Sequence, residues 1–83
     1  MPNKPFAERL NKELDSMGLP LKSDERVEAF ARLIKAPKYK AEAFLNGITL
    51  PDAKLLSIIG EELEVNPDWL IGKSEQKQKK TRV

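Results

Sequence analysis

Cysteine and histidine are both absent from the 83 residues. Without cysteine there are no disulfide staples and no thiolate metal sites. Without histidine the commonest metal ligand and general base is missing. The two absences together leave almost no standard way to activate a nucleophile, so catalytic residues, a bound metal and enzymatic activity are not expected. No apolar run approaches the roughly 20 residues needed to span a bilayer, and no membrane partner is expected. The first ten residues, MPNKPFAERL, carry no apolar stretch of the kind that directs export, so a cytoplasmic location is the expectation. Aromatics are sparse, three Phe, one Tyr and one Trp. The length suffices for one small domain, which buries only about 60% of its unfolded surface and needs a simple, tightly packed core.

Charge is present in quantity, and its order along the chain matters more than its sum of +2. Residues 1–40 hold nine basic and six acidic side chains, a net of +3. Residues 41–72 hold one basic side chain, Lys54, and six acidic ones, a net of −5. Residues 73–83 return to a net of +4. This asymmetry points to an anionic partner meeting one side of the molecule. The alternative is the uneven scatter common in small soluble proteins. The segment 73–83, KSEQKQKKTRV, holds one aliphatic residue. It cannot bury enough apolar area to offset its ordering entropy and reads as a disordered basic tail, leaving 1–72 as the domain.

The rest reads as helix throughout, because no segment alternates apolar and polar with period two. Phe6, Leu10, Leu14 and Met17 recur at helical spacing and predict a first helix from Pro5 to Met17, stopped by Gly18 and Pro20. A second is predicted from Ser23, as N-cap, to Lys35, with Val27, Phe30, Ala31 and Ile34 on its apolar stripe. A third runs from Pro37 to Asn46, with Ala41, Phe44 and Leu45 inward and Gly47 as its left-handed stop. A fourth starts at Pro51 and carries Leu55, Leu56, Ile59 and Leu63. A fifth, short one follows the cap Asn66 and holds Pro67, Trp69 and Leu70. The fold class is all-α, a compact five-helix bundle.

Helices two and three are joined by about three residues and must cross steeply. A small side chain, Ala31, stands where their backbones approach. This is the packing logic of a helix-turn-helix, whose second helix offers its outer face to the DNA major groove. The segment RVEAFARLIKAPKYKAEAFLNG (26–47) resembles, without gaps, the helix-turn-helix of the phage-repressor-like (Cro/repressor, Xre-type) DNA-binding domains. Beyond it, LPDAKLLSIIGEELEVNPDWLIGK resembles the last two helices of that lambda-repressor-like fold. The closing V-x-x-x-W-L-x-G pattern falls at Val65, Trp69, Leu70 and Gly72. The chain departs from the family at Lys35 and Glu64, where glycine is usual, and at Pro37, where Ser or Thr is usual. Its connection at 18–23 is also longer. A left-handed non-glycine residue costs about 1 kcal/mol, so adjusted turns are expected at Lys35 and Glu64.

The resemblance implies a sequence-specific, double-stranded DNA-binding transcriptional regulator of repressor type, with recognition helix 37–46 in the major groove. It implies a homodimer meeting through helices four and five, with no cofactor and no small-molecule effector. Lys38, Tyr39, Lys40, Glu42 and Ala43 fall where base edges or phosphates are reached. Lys38 suits guanine or phosphate, Tyr39 phosphate or a thymine methyl, Ala43 a methyl alone, and Glu42 cytosine N4. Arg26, Lys35, Asn46 and the backbone at Gly47 fall where phosphates are contacted. The plainer alternative is solvated surface for the residues of the third helix and for Lys35, and an ion pair with Glu28 or Asp24 for Arg26. Trp69 reads as core or dimer packing, and Glu61, Glu62 and Glu64 as a solvated face without the spacing of a calcium loop. The alternative function is a protein-interaction module, antitoxin-like or antirepressor-like. Its basis is the acidic middle and the chemically poor run Ala41-Glu42-Ala43.

Overall fold

The computed structural model describes residues 3–78. Its helices are α1 (Lys4–Ser16), α2 (Ser23–Ile34), α3 (Lys38–Leu45), α4 (Ala53–Leu63) and α5 (Pro67–Leu70). The fold is an all-α five-helix bundle. Among the described residues the single extended pairing is an antiparallel bridge between Val65 and Gln78. No helix among them is long and apolar enough to cross a membrane.

Helix α1 buries Phe6, Ala7, Leu10 and Leu14. Met17, expected on the same face, is 44% exposed. The reason is the stop. Gly18 adopts φ +82°, its N–H donates to Asp15 O, and the Leu19 N–H donates to Leu14 O. This Schellman closure turns the chain away before Met17 reaches the core.

Helix α2 takes Ser23 as its first residue rather than its cap; Lys22 holds the cap position without a side-chain hydrogen bond. Its inward face is Val27, Phe30, Ala31 and Ile34. Three residues, Lys35 to Pro37, lead into α3, which begins one residue later than predicted and is flanked by Pro37 and Asn46. Helix α4 begins at Ala53, not Pro51, because the Asp52 carboxylate accepts the Leu55 N–H at 2.8 Å and sets the helix start. In α5 the Asn66 side chain likewise accepts the Asp68 N–H at 3.0 Å.

The turns at Lys35 and Glu64 are not adjusted. Both residues sit in the left-handed region, at φ 57° and 58°. Each closes its helix as glycine would: the Ala36 N–H donates to Ala31 O, and the Val65 N–H to Gly60 O, both at 3.0 Å.

The predicted disordered tail needs correction over residues 73–78, which run back along the bundle. The Lys73 N–H donates to Asp68 O at 2.8 Å, and the Asn66 N–H to Lys77 O at 2.9 Å. Lys77 Nζ lies 2.8 Å from the carboxylate of Glu13, a buried acid on α1. Composition missed this because the energy comes from neutralising a desolvated charge, not from apolar burial. Residues 79–83, the rest of that predicted tail, lie outside the described residues.

Candidate nucleic-acid interface

Helix α3 is held from beneath. Ala41, Phe44 and Leu45 are buried against α1 and α2. A polar chain fixes its far end: Asn11 Nδ2 on α1 donates to Leu45 O at 3.1 Å. Asn11 is gripped in turn by Arg26 on α2, whose Nη1 donates to Asn11 O and Oδ1, both at 3.2 Å. One arginine and one asparagine thus tie the start of α2 and the end of α3 to the middle of α1.

Arg26 therefore does not stand where the sequence placed it. It is 7% exposed. Its Nε donates to Pro20 O at 2.7 Å, and its Nη2 meets Asp15 Oδ1 at 2.5 Å. Every arm of the guanidinium is engaged within the molecule, so a phosphate contact from Arg26 is ruled out in this structure. The ion-pair partner is Asp15, neither Asp24 nor Glu28; Glu28 faces Arg32 at 4.0 Å. Gly47 is also corrected. It is buried under the start of α1, where an added Cβ would come within 3.1 Å of Asn3 O. Its N–H donates to Phe44 O at 3.1 Å, which leaves no backbone donor there for a phosphate.

The other candidate residues face outward. Lys38, Tyr39, Lys40, Glu42 and Asn46 are exposed, and Ala43 is half-buried between them. Tyr39 is 70% exposed. Lys35 stands exposed in the turn below. No ion pair engages Lys35, Lys38 or Lys40 among the described residues. Of the shallow clefts around α3, two border its outer face. One, of about 380 Å³, is lined by Ser23, Asp24, Val27, Lys38 and Glu42. The other, of about 370 Å³, includes Tyr39, Ala43, Thr49, Leu50 and Asp52. Asp52 Oδ1 in this cleft accepts the helix-capping bond from the Leu55 N–H, and the carboxylate keeps its charge.

Sequence reasoning missed Ile48 and Leu50, which are 64% and 43% exposed beside α3. A visible signal was available. Two aliphatics in the connection Ile48-Thr49-Leu50, after a glycine stop and outside any helical stripe, have no core position to fill.

Trp69 is half-buried in the α1–α5 junction. Arg9 donates to the Trp69 carbonyl and lays its guanidinium 4.7 Å from the ring centroid. Lys77 Nζ lies 5.5 Å from the same centroid. The ring is thus an intramolecular cation–π platform rather than a free stacking surface. Glu61, Glu62 and Glu64 are exposed on and after α4, and no acidic cluster among the described residues is arranged to hold a metal ion. Compared with known proteins, the chain matches no family model, no curated protein and no solved structure.

Proposed function

We propose that the protein is a sequence-specific double-stranded DNA-binding regulator of the helix-turn-helix, repressor-like kind, with α3 entering the major groove. The observation that carries this reading is the seating of α3. Its inner face is fixed by Ala41, Phe44 and Leu45, while Lys38, Tyr39 and Lys40 project from its first turn. An exposed short helix, rigidly backed and led by two cations, matches the way such helices meet base edges. Lys38 and Lys40 supply phosphate or guanine contacts, Tyr39 a hydroxyl or ring contact, Glu42 an acceptor for cytosine N4, and Lys35 and Asn46 flanking phosphate contacts. One short helix offers few base contacts. Two protomers on a pseudo-palindrome are therefore proposed, meeting through α4 and α5, with half-sites about 10 bp apart.

Selection of bound duplexes from a randomised pool tests this directly, since it reports binding, symmetry and spacing together. Enrichment of a two-fold motif is the expected result. Failure of any duplex to bind at low salt overturns the reading. Replacing Lys38 and Tyr39 together by alanine should relax the selected motif; an unchanged motif would remove α3 as the reading element.

A second reading, a protein-interaction module on the same fold, draws on the exposed Ile48 and Leu50. Phosphates gain nothing from aliphatic side chains. A stable heteromeric complex that purifies free of nucleic acid would favour it.

A further inference from the structure

The aliphatic residues beside α3 call for a ligand chemistry that lysines alone do not explain. Tyr39 and Ala43 stand one turn apart on the same face of α3. The chain then closes on itself. Gly47, at φ +72°, lets the Ile48 N–H donate to Ala43 O at 2.9 Å. This closure draws the residue after the glycine toward the residue accepting its bond. Ile48 is thereby anchored at Ala43, and Leu50 shares the cleft of Tyr39 and Ala43. Tyr39, Ala43 and Leu50 line one outward apolar strip, and the exposed Ile48 is tied to its Ala43 end through the backbone. Lys38 stands on one flank of it, in a cleft shared with Asp24 and Glu42, and Lys40 stands beside Asp52 in the cleft of the strip itself.

On the duplex that the DNA-binding reading supplies, the strip between Lys38 and Lys40 suits apolar groups on the groove floor. In the major groove only thymine presents such a group, its 5-methyl. The side chains that read purines with paired hydrogen bonds are nearly missing from this face. Arginine and glutamine are absent from α3, and the single asparagine, Asn46, lies at its end. We propose that this strip reads thymine methyl groups, and that Tyr39, Ile48 and Leu50 set a preference for A·T pairs by methyl contact. The proposal rests on the DNA-binding reading above and names what that site recognises.

The test uses the full chain and a duplex selected from the random pool. Thymines are replaced one at a time by deoxyuridine, which removes the methyl and leaves base pairing intact. At contacted positions each replacement should weaken binding about fourfold, the worth of one buried methyl-sized group. The salt dependence should stay the same, because no charge is removed. Ile48→Ser and Leu50→Ser, both at exposed positions, should each shrink the difference between thymine and deoxyuridine duplexes, Tyr39 holding the remainder, while circular dichroism stays unchanged. Equal affinity for the two duplexes at every position would overturn the methyl reading and leave DNA binding standing. No selected duplex at all would overturn both. Serine variants that lose a protein partner or self-association, with DNA affinity and methyl discrimination unchanged, would also overturn it and assign the strip to protein contact.

Discussion

A buried arginine whose partners are mostly carbonyl oxygens is a fastener, and Arg26 fastens the loop between α1 and α2. Its guanidinium spans Pro20 O, Asn11 and Asp15, groups six to fifteen residues earlier in the chain. Removing one side of a buried pair costs about 3–5 kcal/mol when the orphaned charge stays buried. Here Asp15 is about half exposed, and water would take over its solvation. The cost therefore falls below that range: Arg26→Met should destabilise the fold by about 2 kcal/mol, read as a lower urea midpoint. Arg26→Lys should recover less than half of that, since a single compact ammonium nitrogen cannot reach the separate sites that Nε, Nη1 and Nη2 reach. A variant as stable as the parent would show the network to be incidental. The charge of Arg26 was legible in the sequence, and its direction was not. A basic residue four positions into a helix start looks the same whether it reaches out to a phosphate or back across the loop. Gly47 misled in a similar way. Its left-handed geometry was readable, but the start of α1 pressing on it comes from about forty residues away in the chain. Lys38, Tyr39 and Lys40 were placed outward by the family resemblance, and the burial of Ala41, Phe44 and Leu45 on the other face of α3 agrees with that placement.

At the level of elements, helix order and inner faces were readable from periodicity, and helix ends were less so. The start of α4 moved because a side-chain cap at Asp52 decides it, and proline at position 51 merely permits it. The three-residue turn between α2 and α3 survived a non-ideal residue because the packing on both sides over-determines it. That leaves strain to relieve. Lys35→Gly and Glu64→Gly should each stabilise the protein by roughly 0.5–1 kcal/mol, the left-handed cost less the extra chain entropy of glycine. Each should raise the urea midpoint, and the two effects should add, because the turns share no partner. A fall in either midpoint would mean that the lysine or glutamate side chain contributes more than its backbone costs. Gly60 carries the opposite sign. In the interior of α4 an alanine would ordinarily gain about 1 kcal/mol. Here an added Cβ would sit 3.0 Å from Pro67 Cδ and 3.1 Å from Val65 O. Neither a proline ring nor a backbone carbonyl yields easily, so Gly60→Ala should destabilise by about 1–2 kcal/mol and loosen α5 from α4.

For the whole molecule, the described C-terminal segment packs on α1 and α5 through Lys77 and its backbone bond to Asn66. Glu13, buried on α1, has Lys77 as its cation, and Lys77 also lies over the Trp69 ring. Truncation after Gly72 removes that cation and the backbone bonds to Asn66 together. It should lower stability by about 1–2 kcal/mol, and adding Glu13→Gln to the truncated chain should recover part of the deficit, because an amide is cheaper to bury than an unpaired carboxylate. The same truncation bears on the proposed interface. If DNA is met only by the α3 side, the shortened protein should keep its selected motif and the slope of log affinity against log salt. If the C-terminal lysines touch the duplex, the slope should fall by about 0.9 for each phosphate they had neutralised. Titrations of both lengths on one duplex at several salt concentrations, below the temperature at which the shorter chain unfolds, separate the two cases. The expected result is a lower melting temperature with no loss of slope owed to Lys77, which spends its charge on Glu13 while Lys35, Lys38 and Lys40 stand without an ion-pair partner among the described residues; any fall in slope belongs to Lys73, Lys79, Lys80 and Arg82.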